Sequence, residues 1–192
     1  MGAADKSVPA QPSVPAHPSV PAWLSRAFAF DLDPALHPLL VVRLRGVPAR
    51  LEELLRGAPA DAVRHKPSGK WSAQEHAGHL ADLEALGERR LDEYLARAPV
   101  LSPADMGNAA THEADHNART TEDVLADVRA RRTAFVRRLE RLQPADFART
   151  ARHPRLQRDM KLIDLLAFIA EHDDHHLACV AELLRPEAPR PR

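Results

Sequence analysis

The sequence contains few aromatic residues, a single cysteine and no net charge. Phe, Trp and Tyr account for 4% of its 192 residues, so aliphatic side chains must form the core, which suits packed helices. The 27 basic and 27 acidic side chains cancel, so overall charge favours neither nucleic acid nor an anionic membrane as a partner. The lone Cys179 excludes an intrachain disulfide, and no apolar run is long enough to span a membrane. With no secretory signal at the N-terminus, we predict a soluble cytoplasmic protein that binds neither nucleic acid nor membrane.

Proline, by contrast, is abundant, with 17 residues in the chain. Residues 7–10, 13–16 and 19–22 each read Ser-Val-Pro-Ala, at a spacing of six residues. Because proline at this density prevents regular helix and strand, we predict a disordered tail over residues 1–30. This tail could serve as a simple linker or as a docking segment. A second, short disordered tail is predicted at 187–192.

Residues 31–186 are predicted to form one all-α domain, a four-helix bundle with long crossover connections. Four amphipathic segments of roughly twenty residues carry apolar side chains at helical spacing, and no segment has a convincing strand pattern. The predicted helices are about 33–57, 72–97, 121–142 and 161–185. Pro48 should kink the first, and Ser72 with Glu75 forms a capping-box pattern at the start of the second. The connection at 98–120 is too long for a tight turn, so we expect it to cover one end of the bundle.

Three histidines in the last predicted helix give the clearest functional signal. His172, His175 and His176 lie within the apolar run Ile163–Leu184. On a helix His172 and His176 are one turn apart on the same face, so both imidazoles can reach one metal ion. The same face carries apolar residues, and polar rings on a buried face need partners. The pattern therefore indicates a metal site, with hydrogen-bonded core histidines or an exposed polar face as the alternatives.

Spacing alone is weak support for such a site. His112 and His116 show the same spacing, but they lie in a polar stretch typical of a loop. A third ligand is also needed, because two imidazoles rarely hold a catalytic metal ion. In the second predicted helix, His79 shares its stripe with apolar residues, whereas His76 lies about 60° away around the helix axis. We therefore predict His79 as the third ligand.

Several motifs resemble those of the DinB/YfiT superfamily. They are Trp-Ser-Ala-Gln-Glu-His-Ala-Gly-His-Leu-Ala-Asp at 71–82, Glu-His-Asp-Asp-His-His-Leu-Ala at 171–178, Lys-Pro-Ser-Gly-Lys at 66–70, Pro-Ala-Asp-Phe at 144–147 and His-Pro at 153–154. The resemblance covers about residues 36–185. It implies a four-helix bundle, often dimeric, that binds a divalent metal ion, typically zinc or nickel. By this resemblance the ligands are His79, His172 and His176, and His175 faces away from the metal or lines the edge of the pocket.

The resemblance also implies possible activities. Relatives include thiol S-transferases that use bacillithiol or mycothiol and a mycothiol-dependent isomerase, although many members have no assigned activity. A metal ion on three neutral imidazoles retains its full charge and an open coordination position, and it deprotonates a bound thiol. We therefore predict transfer of a low-molecular-weight thiol to an electrophile, with these two small molecules as partners and a homodimer as the expected assembly. The alternatives are a metal-dependent hydrolase, a non-catalytic metal-binding stress-response bundle and a purely structural bundle.

Residues beside the predicted ligands could assist the chemistry. Glu75, one turn before His79, is the predicted general base, with helix capping as its alternative role. Asp82 is a candidate to hold an imidazole in place, and Asp173 or Asp174 could do the same. Cys179 is expected to behave as a small apolar residue rather than as a fourth ligand. The connection at 99–120 and the pair Ala170-Glu171 depart from the family pattern, so the substrate is not predicted from them.

Overall fold

The computed structural model describes residues 19–185, and helices dominate this part of the chain. Seven α-helices follow one another in the described residues: α1 (His37–Arg45), α2 (Val47–Leu55), α3 (Ala60–Arg64), α4 (Ala73–Leu95), α5 (Ala109–Glu113), α6 (Thr121–Leu139) and α7 (Leu162–Leu183). The proline repeats at 7–10 and 13–16 and the predicted C-terminal tail lie outside the described residues. None of the seven helices is long and apolar enough to cross a membrane.

The predicted four-helix bundle is confirmed. The first bundle element is the pair α1 and α2, which packs against α6 and α7. The fourth element, α4, packs against α6 and α7 from the opposite side. The predicted interruption of the first helix is also present, but it lies at Gly46, and Pro48 is the second residue of α2. A proline in the first turn of a helix sacrifices no hydrogen bond, so Pro48 begins a new helix instead of bending a continuous one.

The starts of the long helices follow the local sequence. Ser72 caps α4 by accepting a hydrogen bond from the Glu75 amide, and the Glu75 carboxylate accepts one from the Ser72 amide at 2.8 Å. This reciprocal pair satisfies two backbone donors that have no partner within the helix. At the start of α7, Asp164 accepts from the Lys161 amide at 3.0 Å. The capping box therefore fixes where α4 begins, and with it the positions of the histidines on that helix.

A short β-hairpin, absent from the sequence prediction, joins α6 to α7. Strands β1 (Thr150–His153) and β2 (Arg158–Lys161) pair antiparallel, with Thr150 opposite Lys161 and His153 opposite Arg158. Alternate residues of β1 are buried, including His153. Four residues give too short an alternation to be recognised in the sequence. The hairpin matters for function because it places the His153 side chain inside the protein.

The N-terminal segment packs on the bundle from well before residue 30. Trp23 and Phe28 lie with their ring centroids 5.1 and 5.2 Å from that of Phe168 on α7. Arg26 donates a hydrogen bond of 2.5 Å to the Glu171 carboxylate. The predicted boundary of the tail at residue 30 is therefore too late. The proline repeat dominates the sequence signal here, whereas the aromatic side chains between its end and α1 bury enough apolar surface to hold the segment.

A polar layer divides the core into two apolar clusters. Arg132 of α6 is 3% exposed and bonds to Glu84 of α4 and Asp173 of α7, both of which are also buried. On each of these helices, the residues before and after the polar side chain belong to different clusters. One cluster includes Leu91, Phe135 and Leu166, and the other includes Leu80, Val128 and Leu177. The predicted metal ligands lie next to this layer along the helices.

Candidate metal centre

His79, His172 and His176 come together between α4 and α7. One potential ligand atom from each lies within 4.8 Å of the other two. The Nε2 atoms of His172 and His176 are 3.1 Å apart, as expected for residues one turn apart on a helix. The ring centroid of His79 lies 4.7 Å from that of His176 and 5.4 Å from that of His172. The structure thus brings together the three residues that the sequence predicts as ligands, which we call the His triad.

His79 is held by a chain of hydrogen bonds that leads away from the His triad. Its Nδ1 atom lies 2.9 Å from the Thr111 hydroxyl, which in turn donates to the Asp82 carboxylate at 2.9 Å. Because the threonine proton is directed to Asp82, the hydroxyl oxygen accepts from Nδ1–H of His79. The lone pair of His79 is then on Nε2. This is the arrangement by which proteins fix the tautomer of a metal-ligating histidine.

His116 completes this network from the same connecting segment. Its Nε2 atom lies 2.9 Å from the Asp82 carboxylate, and its ring is 2% exposed. The ring lies directly over Gly78 of α4, where a Cβ atom would be 2.3 Å from the imidazole. Gly78 is therefore required for the close approach of His116 to the helix. The connection at 98–120, predicted to cover one end of the bundle, reaches the site through Thr111 and His116 rather than through His112.

His176 has a partner that the sequence analysis did not predict. The Nδ1 atoms of His76 and His176 are 2.7 Å apart, so one ring donates its proton to the other. The prediction that His76 does not belong with the ligands is consistent with the His triad, yet His76 contacts one of its members. The contact leaves Nε2 of His176 facing His172. His76 is offset from His79 by about 60° around the axis of α4, so its side chain lies beside the His triad rather than in it.

Burial keeps the His triad neutral. Removal from water lowers the pKa of His79 to about 4 and that of His172 to about 3, and it lowers the pKa of His176 well below the usual 6.5. Neighbouring imidazoles act in the same direction, because adjacent positive charges would repel. A histidine binds a metal ion through the lone pair of its neutral ring. All three rings are therefore in the protonation state that ligation requires at neutral pH.

The donor set fits a divalent ion of the zinc type. Two nitrogens that each lie about 2.1 Å from a tetrahedral zinc ion are separated by about 3.4 Å, comparable to the 3.1 Å found between His172 and His176. Three histidines are also a recurring ligand set of catalytic zinc, with the fourth position left for water or substrate. The buried His triad could thus hold one metal ion, whose identity the ligands alone do not fix.

A cavity of about 310 Å³ opens beside the His triad, and all three of its members contribute to the wall. Two tryptophans line it as well: the Trp71 ring lies 4.6 Å from that of His79, and the Trp23 ring lies 4.9 Å from that of His172. Much of the remaining wall is apolar, with Leu83, Phe135, Phe168 and Ile169 among the lining residues. His175 also lies in the wall, in the position that the family resemblance implies for it. The cavity can admit a small organic molecule next to the three imidazoles.

Glu75 is engaged at the start of α4. Its two carboxylate oxygens accept from the Ser72 amide and from the Lys66 ammonium, the latter at 2.7 Å. Burial opposes ionisation, but these hydrogen bonds outweigh it and lower the pKa of Glu75 below its usual value. Glu75 does not line the cavity among the described residues. The capping role is therefore visible, and the role of general base stays a prediction.

The acidic residues around His172 are bound to arginines. Asp173 is buried with Arg132, whereas the half-buried Asp174 pairs with Arg43 at 2.6 Å. Over residues 19–185 neither carboxylate bonds to an imidazole, so the expectation that one of them orients a ligand is not met. Cys179 lies 3.8 Å from His175 and is not part of the His triad. Asp82, the other predicted acid, is the one connected to a triad histidine.

The fold and the site together define a helical bundle with a buried three-histidine cluster suited to a divalent metal ion. The chain belongs to the DinB superfamily, whose family model matches residues 43–180. Among solved structures it is similar to YfiT from Bacillus subtilis, with a TM-score of 0.71, 22% sequence identity, and coverage of 82% of this chain and 91% of that one. YfiT is described as "a probable metal-dependent hydrolase with an unusual four-helix bundle topology". No curated protein matches the chain in sequence.

Proposed function

We propose that this protein binds zinc or nickel on His79, His172 and His176 and uses the ion to activate a low-molecular-weight thiol, of the bacillithiol or mycothiol type, for attack on an electrophile. The observation that carries the proposal is that the buried His triad forms part of the wall of a cavity large enough for a small organic molecule. Neutral imidazoles do not compensate the charge of the ion. An ion held in this way lowers the pKa of a coordinated thiol or water.

The surrounding residues position the ligands. Thr111 and Asp82 hold the Nδ1 proton of His79, and His76 contacts the Nδ1 atom of His176. Hydrogen bonds of this kind fix the orientation of each ring and raise its basicity. Trp23 packs beside His172 and Trp71 beside His79, and both reduce the contact of these rings with water. The chain thereby supplies a preorganised donor set, and the substrates enter through the cavity.

A thiol suits this site because it needs little help from a separate base. The carboxylates closest to the His triad along the helices are engaged: Asp82 by Thr111 and His116, Asp173 by Arg132, and Glu75 by Ser72 and Lys66. A thiol whose pKa is lowered by a metal ion is a nucleophile at neutral pH without assistance. The apolar wall of the cavity favours an electrophile with a hydrophobic body.

Metal-dependent hydrolysis is the second candidate. The similarity to YfiT favours it, since that protein is described as a probable metal-dependent hydrolase. The same His triad would serve, because a divalent ion lowers the pKa of coordinated water to about 7. The two candidates differ in the nucleophile, so a direct comparison of the two reactions separates them. Glu75 would be relevant to hydrolysis only after release of its bond to Lys66.

The first experiment measures metal content by mass spectrometry on protein purified without an affinity tag. We expect about one zinc or nickel ion per chain, and a loss of at least about tenfold in affinity in each of the variants His79→Ala, His172→Ala and His176→Ala. The matched control is His65→Ala, since His65 is exposed and lies outside the His triad. No metal binding after reconstitution, or equal binding by all four variants, would rule out the proposed site.

The second experiment supplies the metal-loaded protein with a thiol and a chromogenic aryl halide, or with an activated ester alone. If the protein transfers thiols, it should consume the aryl halide only when thiol is present. The His172→Ala variant should not consume it. Ester cleavage without thiol, also lost in that variant, would favour the hydrolase instead. A Glu75→Gln variant tests the predicted general base. If Glu75 is the base, its replacement should lower the reaction rate strongly and leave the metal content unchanged.

A further inference from the structure

His153 has a buried hydrogen-bond donor without a partner. Its side chain is 2% exposed, and its Nδ1 atom accepts a hydrogen bond of 3.2 Å from the Leu156 amide within the hairpin turn. The proton of the neutral ring is therefore on Nε2, which has no hydrogen-bond partner among residues 19–185. A buried donor left without an acceptor destabilises the fold. Since His153 lines the cavity described above, a ligand in that cavity could supply the acceptor.

Two guanidinium groups line the same part of the cavity. Arg90 of α4 is 5% exposed, and it directs Nε and Nη2 to one acceptor, the carbonyl oxygen of Ser102, at 3.0 and 2.8 Å. Arg155, from the hairpin turn, lies with its guanidinium 5.6 Å from the centroid of Phe168. In the described part of the chain, neither arginine forms an ion pair with a carboxylate. This contrasts with Arg132 in the same cavity wall, which bonds to two carboxylates.

The acidic residues of the cavity do not compensate these two charges. Glu84 and Asp173 are bound to Arg132. Asp105 accepts hydrogen bonds from the amides of Gly107 and Ala109 in its own turn. Glu93 acts on Arg90 through its charge, but it is bound to Ser102 and forms no ion pair with Arg90. The buried guanidinium therefore has a carbonyl partner and no carboxylate partner, so its lost hydration is only partly replaced. One part of the cavity is therefore rich in donors and positive charge and contains no free acceptor of that charge among the described side chains.

Phe168 separates these donors from the His triad. Its ring lies 5.7 Å from that of His153 and 5.1 Å from that of Trp23, and Trp23 in turn contacts His172. Phe168 also precedes His172 by one turn of α7, which corresponds to about 5–6 Å along the helix axis. The cavity thus has imidazoles at one side, donors and positive charge at another, and an aromatic wall between them. These distances match the length of a small organic molecule.

We propose that His153, Arg90 and Arg155 form a carboxylate-binding subsite, so that the substrate of the His triad is a small organic acid with an apolar body. The carboxylate would accept from Nε2–H of His153 and pair with the two guanidiniums, while the apolar part lies along Phe168. Arginine recognises a planar carboxylate through paired hydrogen bonds, and such charge-assisted bonds are the strong ones. The orientation of the substrate rests on the proposed function, but the subsite itself requires no metal ion.

The test uses the full chain freed of metal with a chelator, so that a carboxylate cannot bind to the ion instead. Hexanoate, hexanamide and hexyl phosphate are titrated in parallel and followed by tryptophan fluorescence, because both tryptophans of the chain line the cavity. Calorimetry checks the affinities. We expect hexanoate to bind at least about tenfold more tightly than hexanamide, which corresponds to one charge-assisted contact. Equal affinity for the acid and the amide would overturn the proposal, and preference for the phosphate would overturn its assignment to carboxylates.

Variants locate the binding. Arg155→Gln should weaken hexanoate about three- to tenfold without changing hexanamide, and His153→Phe should act in the same way. Arg152→Gln is the matched control, because Arg152 is an exposed arginine of the same hairpin that does not line the cavity. If His153→Phe does not fold, Arg155→Gln still provides the test, since this side chain is exposed. Equal affinities in Arg155→Gln and Arg152→Gln would contradict the subsite.

A final comparison separates this inference from the proposed metal function. The His172→Ala variant should lose metal but retain at least part of the preference of hexanoate over hexanamide. Metal binding without any carboxylate preference would remove the subsite and leave the metal centre in place. If the parent protein prefers the carboxylate but binds no metal, the subsite is retained and the proposed metal centre is removed.

Discussion

Nδ1 of His79 lies 2.9 Å from the hydroxyl of Thr111, a residue 32 positions later in the chain. The hydroxyl donates its own hydrogen bond to Asp82, so its oxygen accepts from Nδ1–H of His79 and fixes the His79 tautomer. We expect Thr111→Val, which keeps the shape and removes the oxygen, to weaken zinc binding about 10- to 100-fold. The measurement is competition for zinc with a chromogenic chelator. Thr133→Val is the control, because Thr133 is exposed on α6; an equal effect of the two substitutions would contradict the role of Thr111.

The contact between Gly78 and His116 gives a second prediction. A methyl group at position 78 would lie 2.3 Å from the imidazole, so the Gly78→Ala variant must displace His116 and its bond to Asp82. We expect a loss of about 2 kcal/mol in the free energy of unfolding, together with weaker metal binding. Urea denaturation measures the first quantity and chelator competition the second.

Gly87→Ala is the matched control for this substitution. Gly87 lies in the same helix, but the nearest atom to an added Cβ is 3.8 Å away, in the ring of Phe135. Alanine there should leave stability unchanged or raise it by up to about 1 kcal/mol, because alanine is the better helix former. Similar destabilisation at both positions would show that helix geometry, rather than the approach of His116, accounts for the effect.

The polar layer gives a third prediction. Arg132→Met removes the single cation that bonds to both Glu84 and Asp173 and leaves two buried carboxylates. Breaking a buried ion pair in this way costs about 3–5 kcal/mol. Arg129→Met provides the comparison, since Arg129 pairs with Glu52 on the exposed part of the same helix and should contribute only about 0–1 kcal/mol. Equal losses of unfolding free energy in the two variants would mean that the buried layer contributes no more than a surface pair.

Glu84 should also make stability depend on pH. Burial raises its pKa from 4.5 to about 7, although Arg132 opposes the shift. Between these two values the folded chain keeps a proton that the unfolded chain has released. The stabilisation from Glu84 is therefore complete below pH 4.5 and is lost as the pH rises to about 7, by at most about 3 kcal/mol.

The Glu84→Gln variant isolates this effect. Buried histidines such as His153, whose pKa burial lowers to about 4, shift stability in the opposite direction, since they favour the folded state as the pH rises. They do so in parent and variant alike. The difference in unfolding free energy between the parent and Glu84→Gln should therefore fall from pH 4.5 to 7 and be constant outside that range. A difference that does not change with pH would refute the raised pKa.

The sequence predicts the long helices well because their signals are local. The apolar periodicity of α4, α6 and α7 extends over five or more turns, and the capping pair Ser72 and Glu75 marks the start of α4 to the residue. The His triad is predictable for a related reason. His172 and His176 are adjacent on one helical face, and the apolar stripe of α4 selects His79 as the third member.

The contacts that organise the site depend on packing between distant segments. Thr111 lies in the five-residue helix α5 and His116 in a single helical turn just after it, and both are too short for a periodicity that predicts which side chains reach α4. Glu84, Arg132 and Asp173 each resemble ordinary surface charges until the three helices are packed together. Gly78 is a local signal of this packing, since a glycine inside a helix often marks a close approach by another segment.

The N-terminal segment is the other instance in which a strong local signal was misleading. Proline repeats indicate disorder, yet Trp23 and Phe28 pack on Phe168, and Arg26 bonds to Glu171. The predicted tail was too long because composition reports what a segment cannot form by itself. It does not report which surface the segment finds on the rest of the protein.

The ion pairs of Arg132 determine how the cavity can open. A shift of any of these helices by one turn, about 5.4 Å, would separate Arg132 from Glu84 or Asp173 and bury a carboxylate alone. The helices that carry the histidines are thus locked in register and cannot slide to admit a substrate. The connection that contains Thr111 is held as well, because its movement would break the hydrogen bonds that fix His79. Movement is therefore left to the segment around Trp23, whose ring lies beside His172. Substrate entry and release should accordingly be slow when this segment is cross-linked to the bundle, while the ligand geometry stays the same.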